Sequence, residues 1–300
     1  MNAPAIQPNP LNAGRSIGAI LVDTGKLTLD DAERILRAQK EHGLRFGEAA
    51  IQLGLVTRAD MELALASQYD YPYLLQTENG EVAGELIAAY EPFSPQVEAL
   101  RALRSQLMLR WFTGEEERRT LAIASPARGD GRSYLAANLA VVFSQLGEHT
   151  LLIDADMRNP RQHQLFKLDN QQGLSSLLSG RGDLSMIERI PSFVDLSVLA
   201  AGPIPPNPQE LLGRPLFARL LDEMVHEYDV VIIDTPAAAD YADVQTIAVR
   251  ASGALLLARS SSTRVSEFRE LSKTLGQSGV AVVGSVLNDP LPVKTVRQQS

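Results

Sequence analysis

LAIASPARGDGRSYLAANLAVVFSQLG, residues Leu121 to Gly147, reads as a buried strand, a tight loop and a helix that opens at Arg132 or Ser133. The apolar run before Ser125 is too short for a helix and is flanked by turn residues, which marks a strand buried on both faces. Gly129 and Gly131 let the backbone curl closely around phosphate oxygens, and the helix start supplies unpaired N–H groups and the positive end of a dipole. Arg128, Gly129, Asp130, Gly131, Arg132, Ser133 and Tyr134 are therefore the expected contacts to the phosphates of a nucleoside triphosphate, with Ser133 able to ligate magnesium. Against the pattern GxxxxGK[ST], Pro126 stands at the first glycine and Arg132 at the lysine. Tyr134 occupies the place of the third glycine in a dinucleotide fingerprint, which disfavours that reading.

Two further strands strengthen the loop. LLIDADMRNP places Asp154 and Asp156 just past an apolar run, and VVIIDTPAAADYADV closes another with Asp234, followed by Asp243. Any one of these is usually a turn aspartate. Arriving in order after a phosphate loop, they form a set that can hold a metal's waters and accept a proton from a nucleophile. Other strands are expected at Thr150 to Ile153, Leu196 to Ala201, Ala254 to Ala258 and Ala281 to Leu287, with a helix from Pro95 to Trp111. Short apolar strands alternating with helices predict an α/β fold: a P-loop NTPase whose mostly parallel sheet is covered by helices on both faces.

The order of SPARGDGRS, LLIDADMRNP, GPIPPNPQELL and VVIIDTP resembles the bacterial tyrosine kinases of exopolysaccharide synthesis, the EpsG-type chain-length determinant kinases, which are related to the MinD/ParA ATPases. The resemblance covers about residues 94 to 290. It implies an ATP- and Mg2+-dependent protein-tyrosine kinase in which Ser133, Asp154 and Asp234 serve the metal and Asp154, Asp156 and Arg132 serve catalysis. By the same resemblance Asn288 contacts the base, and Glu98, Arg101 and Arg104 match the ExxRxxR segment by which such kinases form homo-oligomeric rings. A solvated ion-pair stripe explains that spacing equally well, and a strand-end turn explains Asn288. The implied partner is a membrane-embedded polysaccharide chain-length regulator, expected here on a separate chain. Two departures stand out. Arg132 keeps the lysine's charge but not its geometry. No tyrosine follows Tyr241, so the C-terminal tyrosine cluster of these kinases has no counterpart in the tail. Acceptors elsewhere include Tyr69 to Tyr73, a segment whose period-two spacing also fits a half-buried extended strand. A nucleotide-dependent, MinD-like scaffold without phosphoryl transfer is the alternative reading.

Upstream lies a tandem repeat. At an offset of 29, Ser16 to Gln39 aligns with Arg45 to Gln68, Gly18 meeting Gly47 and Gly25 meeting Gly54. Each copy holds two short helices, with Thr28 or Thr57 as N-cap and Asp31 or Asp60 three residues on. The pattern resembles the small N-terminal (MshEN-like) domain of secretion and pilus ATPases, a relative of which binds cyclic di-GMP. Carried over, Arg45, Gly47 and Gly18 would contact the dinucleotide; a helical docking module is the plainer reading. The expected divisions are a leader (1–15), the helical repeat module (16–80), a linker (81–93), the nucleotide-binding domain (94–290) and a tail (291–300).

Composition sets outer limits. A formal charge of -8 repels nucleic acid, and with no cysteine neither disulfides nor thiolate metal sites can form. The histidines, His42, His149, His163 and His226, share no ligand spacing. No apolar run approaches the roughly 18 residues of a membrane span, so the expectation is a cytoplasmic protein, peripheral to the inner membrane through its partner.

Overall fold

The computed structural model describes residues 15–68, 73–74, 80–113 and 118–289. Residues 1–14 of the expected leader, Tyr69, Tyr71 and the tail lie outside them. The chain divides into two compact units, Met1–Gln76 with Ala89–Ser94, and Thr77–Ala88 with Pro95–Ser300.

In the first unit the repeat becomes four helices: α1 (Ile17–Asp23), α2 (Leu29–His42), α3 (Phe46–Gln52) and α4 (Arg58–Gln68). The caps are duplicated as the letters are. Asp31 N–H donates to Thr28 Oγ1 at 3.1 Å while Thr28 N–H donates to the Asp31 carboxylate at 3.2 Å. Thr57 and Asp60 repeat this at 3.1 and 3.0 Å. Gly25 and Gly54 turn out of α1 and α3 with φ of 70° and 67°, a region that favours glycine. Ile20, Leu21, Ile35, Ala49 and Ala50 form a core that neither copy could bury alone.

The second unit is a seven-stranded sheet in the order β3-β4-β2-β5-β1-β6-β7. Its strands are β1 (Thr120–Ala124), β2 (Thr150–Asp154), β3 (Glu188–Arg189), β4 (Leu196–Leu199), β5 (Val230–Asp234), β6 (Gly253–Arg259) and β7 (Ala281–Asn288). All pairings are parallel except β3 with β4, and β3 is so short that its sequence carries no periodic signal. β1, β2, β4 and β5 are buried throughout because helices cover both faces, which is why they read as unbroken apolar runs.

Two short helices, α5 (Ile87–Tyr90) and α6 (Pro95–Leu107), precede the sheet. The expected helix to Trp111 ends as α at Leu107 and continues as a wider π turn over Met108–Phe112. There Trp111 is buried, donates Nε1–H to Thr120 C=O at 2.9 Å, and lies where any Cβ on Gly253 would collide with its ring. Part of the span read as a linker is packed into this unit instead: Val82, Leu86 and Ala88 are buried, and Ala88 N–H donates to Asn138 Oδ1 at 3.0 Å. Asn138 sits on α7 (Arg132–Ser144), which is apolar on all sides because it is covered all round.

Strand order positions the site. β5 lies between β1 and β2, with Asp154 in register with Asp234 and Asp234 in register with Ile123. The loop after β1 and both aspartate-ended strands thus open at the carboxyl edge of the sheet, where α/β folds bind ligands.

Candidate functional site

The phosphate loop runs from Ser125 to Gly131 and is laced to its surroundings at nearly every residue. Gly129 and Gly131 adopt φ of 80° and 107°, and Gly131 is the N-cap of α7. Asp130 is fully buried: one carboxylate oxygen accepts the Ala127 N–H at 2.9 Å and the other the Thr263 hydroxyl at 2.8 Å. From the far side Asn288 Nδ2 donates to Asp130 C=O at 2.8 Å, and Arg259 Nη1 to Gly129 C=O at 2.8 Å. Asp130 and Asn288, expected at phosphate and base, are therefore engaged in holding the loop's shape.

Arg132 departs most from its expected place. It is only 7% exposed, and its guanidinium is directed back into the loop. Nε donates to Thr235 C=O at 2.9 Å, while Nη1 donates to Ala127 C=O at 2.7 Å and to the Ser125 hydroxyl. A planar fork with five donors can serve several acceptors of the loop at once, in a geometry that a lysine's compact ammonium does not share. Arg128 is exposed at the tip of the loop, its Nη2 2.8 Å from Asn159 Oδ1.

The aspartates converge as their order implied. Asp154 and Asp234 are completely buried at the ends of adjacent strands, and Asp156 is 5% exposed. Asp154 Oδ2 accepts the N–H groups of Arg161 and Gln162, both at 2.9 Å, and Oδ1 accepts that of Asp156 at 3.2 Å. Burial, and then the neighbouring charge of Asp234, push its carboxyl well above the usual carboxylate range. Burial likewise raises Asp234 to about 6, partly offset by the Ser133 hydroxyl and the Gln162 amide. Asp156 Oδ1 caps the following turn, accepting from Arg158 and Asn159 N–H at 3.2 and 2.9 Å.

Gln162 was not legible as a site residue. It opens α8 (Gln162–Leu165), is fully buried, and donates Nε2–H to Asp234 Oδ2 at 2.8 Å and to Ser133 C=O at 3.1 Å. Gln162 Oε1 and Asp234 Oδ1 are both buried without a hydrogen-bond partner. Arg158 was also missed: it pairs with buried Asp243 through two bonds of 2.7 and 3.2 Å and lies 3.8 Å over the Tyr241 ring. Asp243, at the start of α9 (Asp243–Ala251), thereby ties the second aspartate segment to the third.

An unpaired, buried carboxylate oxygen beside a helix-starting serine is a donor set suited to a divalent cation. Among the described residues no cluster of three or more His, Asp or Glu side chains forms an all-protein metal cage. Magnesium is commonly held by one or two carboxylates together with substrate phosphates, and Ser133, Asp234 and Asp154 fit that role.

The other expected sites separate. Arg101 Nη1 is 3.3 Å from Glu98, which is 73% exposed, so these two form a surface pair. Arg104 turns inward, Nη1 donating to Val142 C=O at 2.7 Å, and does not share their stripe. In the N-terminal unit, Arg45 is the N-cap of α3, its N–H on Glu48 at 3.0 Å. A Cβ at Gly18 would meet the Phe46 ring at 3.0 Å, and one at Gly47 would meet Met61 at 2.7 Å. Both glycines lie where neighbouring helices pack closely.

Fold and site together define a P-loop nucleotide-binding protein. CapB of Staphylococcus aureus is 37% identical over 198 residues, 66% of this chain and 86% of that protein. Tyrosine-protein kinase YwqD of Bacillus subtilis is 34% identical over 215 residues, 72% of this chain and 90% of that protein. The solved kinase domain of the Escherichia coli tyrosine kinase ETK superposes with a TM-score of 0.67 at 30% identity, covering 77% of this chain and 90% of that domain. The chain spans only 28% of full-length etk from the same species. No family model matches. The chain belongs to the bacterial tyrosine-protein kinases.

Proposed function

We propose that the protein is an ATP- and magnesium-dependent tyrosine kinase that regulates exopolysaccharide chain length or export, acting on the inner membrane's inner face through a membrane-embedded regulator. The observation that carries the nucleotide chemistry is the buried pair Asp154 and Asp234, in register on adjacent strands, with one Asp234 oxygen unpaired beside Ser133. Bound magnesium would neutralise phosphate charge at Ser133 and Asp234. The N–H groups at the start of α7 orient the phosphates. Asp154, whose proton affinity is raised, takes the tyrosine proton, and Asp156 adds negative charge beside it. Most of the catalytic effect is positioning and charge compensation.

Arg132 favours a second reading, a slow or inactive nucleotide-dependent scaffold, because it is held by loop acceptors where the family's lysine reaches phosphate. Glu98 and Arg101 are candidates for contacts in a homo-oligomer, and Arg104 supports their helix. The N-terminal unit acts as a docking module; its glycines support that role over cyclic di-GMP binding. Purified protein with labelled ATP, magnesium and the regulator's cytoplasmic segment, beside Asp154→Asn, tests the kinase reading. Label on tyrosine that depends on Asp154 supports it, and bound ATP with no labelled tyrosine leaves the scaffold.

A further inference from the structure

We infer that the cationic contact to the terminal phosphates comes from Arg128, and that Arg132, at the lysine position, is a positioning residue that holds the loop open from beneath. The inference rests on the reading of this loop as a nucleoside-triphosphate site. Arg132 is buried, and its Nε and Nη1 join Thr235, Ala127 and Ser125. These contacts tie the loop to the residue after Asp234 and need no nucleotide to form. Asp130 adds to the same effect by accepting the Ala127 N–H, so the loop is shaped in advance.

The other arginines around the loop are committed to carboxylates or to the loop's own backbone. Arg158 is paired with Asp243, Arg161 with Glu85, and Arg259 with Gly129 C=O. Arg128 is different. It is exposed at the loop tip between Ala127 and Gly129, and its partner is neither a carboxylate nor the loop backbone but a side-chain amide outside the loop, Asn159 Oδ1. Asn159 in turn is anchored through its N–H to Asp156 Oδ1 at 2.9 Å, so the Arg128–Asn159 bond spans from the phosphate loop to the turn after β2. A guanidinium has five donors and binds phosphate oxygens through two of them, so exchanging Asn159 for a phosphate gains a charge-assisted contact with little displacement.

The test compares ATP with ADP, each with magnesium, by equilibrium binding to the full chain. Arg128→Ala is expected to weaken ATP at least ~10-fold, with ADP affected less, and to leave the nucleotide-free melting temperature unchanged. Arg128→Lys should recover part of the loss. Arg132→Lys is expected to lower the nucleotide-free melting temperature and to weaken ATP and ADP by similar factors, keeping their ratio. If Arg132→Lys instead removes the preference for ATP while Arg128→Ala keeps it, the assignment is overturned. If the wild-type chain binds neither nucleotide, the site reading itself fails, and a wild type that binds both with Arg128→Ala unaltered defeats this inference alone.

Discussion

Replacing Asp234 by asparagine should make the nucleotide-free protein more stable while removing its response to MgATP. Asp234 is fully buried, has one oxygen without a partner, and faces Asp154 across two paired strands. Burial raises its carboxyl to about 6 from an ordinary 3.8. The sign follows from proton binding. Below the unfolded value the group is protonated in both states and imposes no penalty. Between the two values only the folded state holds the proton, so this contribution to stability is lost as pH rises through about 6. Near neutral pH the folded chain carries the whole cost of the buried charge, at most about 3 kcal/mol. Asparagine keeps an oxygen for Gln162 Nε2–H and removes the charge. For a domain of this size each kcal/mol moves the melting temperature by roughly 2–4 °C, so an increase of about 5 °C is expected at about pH 7.5, shrinking toward zero near pH 4. Saturating MgATP should raise the wild-type melting temperature by a comparable amount, since ligand at about 100 times its Kd adds about 2.7 kcal/mol, and should leave the variant unmoved. Differential scanning fluorimetry across pH, with and without MgATP, gives all four values. A variant no more stable than wild type near neutral pH, or one that MgATP still stabilises fully, would refute the reasoning.

Gln162→Leu removes the donor to Asp234 and Ser133 C=O; MgATP affinity should fall by roughly 10-fold or more in calorimetry, because a buried carboxylate loses a charge-assisted bond. Gly253→Ala forces a methyl group into the Trp111 ring and should destabilise the chain by about 1–3 kcal/mol, read as a lowered urea midpoint; an unchanged midpoint would show that Trp111 moves freely. Arg158→Ala leaves buried Asp243 unpaired and should cost about 3 kcal/mol, largely recovered in Arg158→Ala with Asp243→Asn, a coupling that a double-mutant cycle measures directly. Cyclic di-GMP should not bind the full chain, because Gly18 and Gly47 are filled against Phe46 and Met61; micromolar binding lost in Arg45→Ala would contradict this.

The letters were sufficient where a property is local or periodic. Runs such as VVIID and LLID announce strands buried on both faces because no polar residue can be placed there, and their terminal aspartates mark the carboxyl edge. The repeat at an offset of 29 announced its own caps, since each depends on a few adjacent residues. The family could be read for the same reason: its motifs are short segments, each with its own mechanics. Tertiary structure alone decided where long side chains go. Arg132 and Asn288 fill motif positions, yet both hold the loop: Arg132 adds to its local acceptors the C=O of distant Thr235, and Asn288 meets the C=O of distant Asp130. Gln162 had no signal at all; it belongs to the site because β5 inserts between β1 and β2 and brings Asp234 to it. An arginine or glutamine that reaches several ångströms from its backbone takes its role from whichever strand the topology sets beside it, and a single sequence does not record that neighbour.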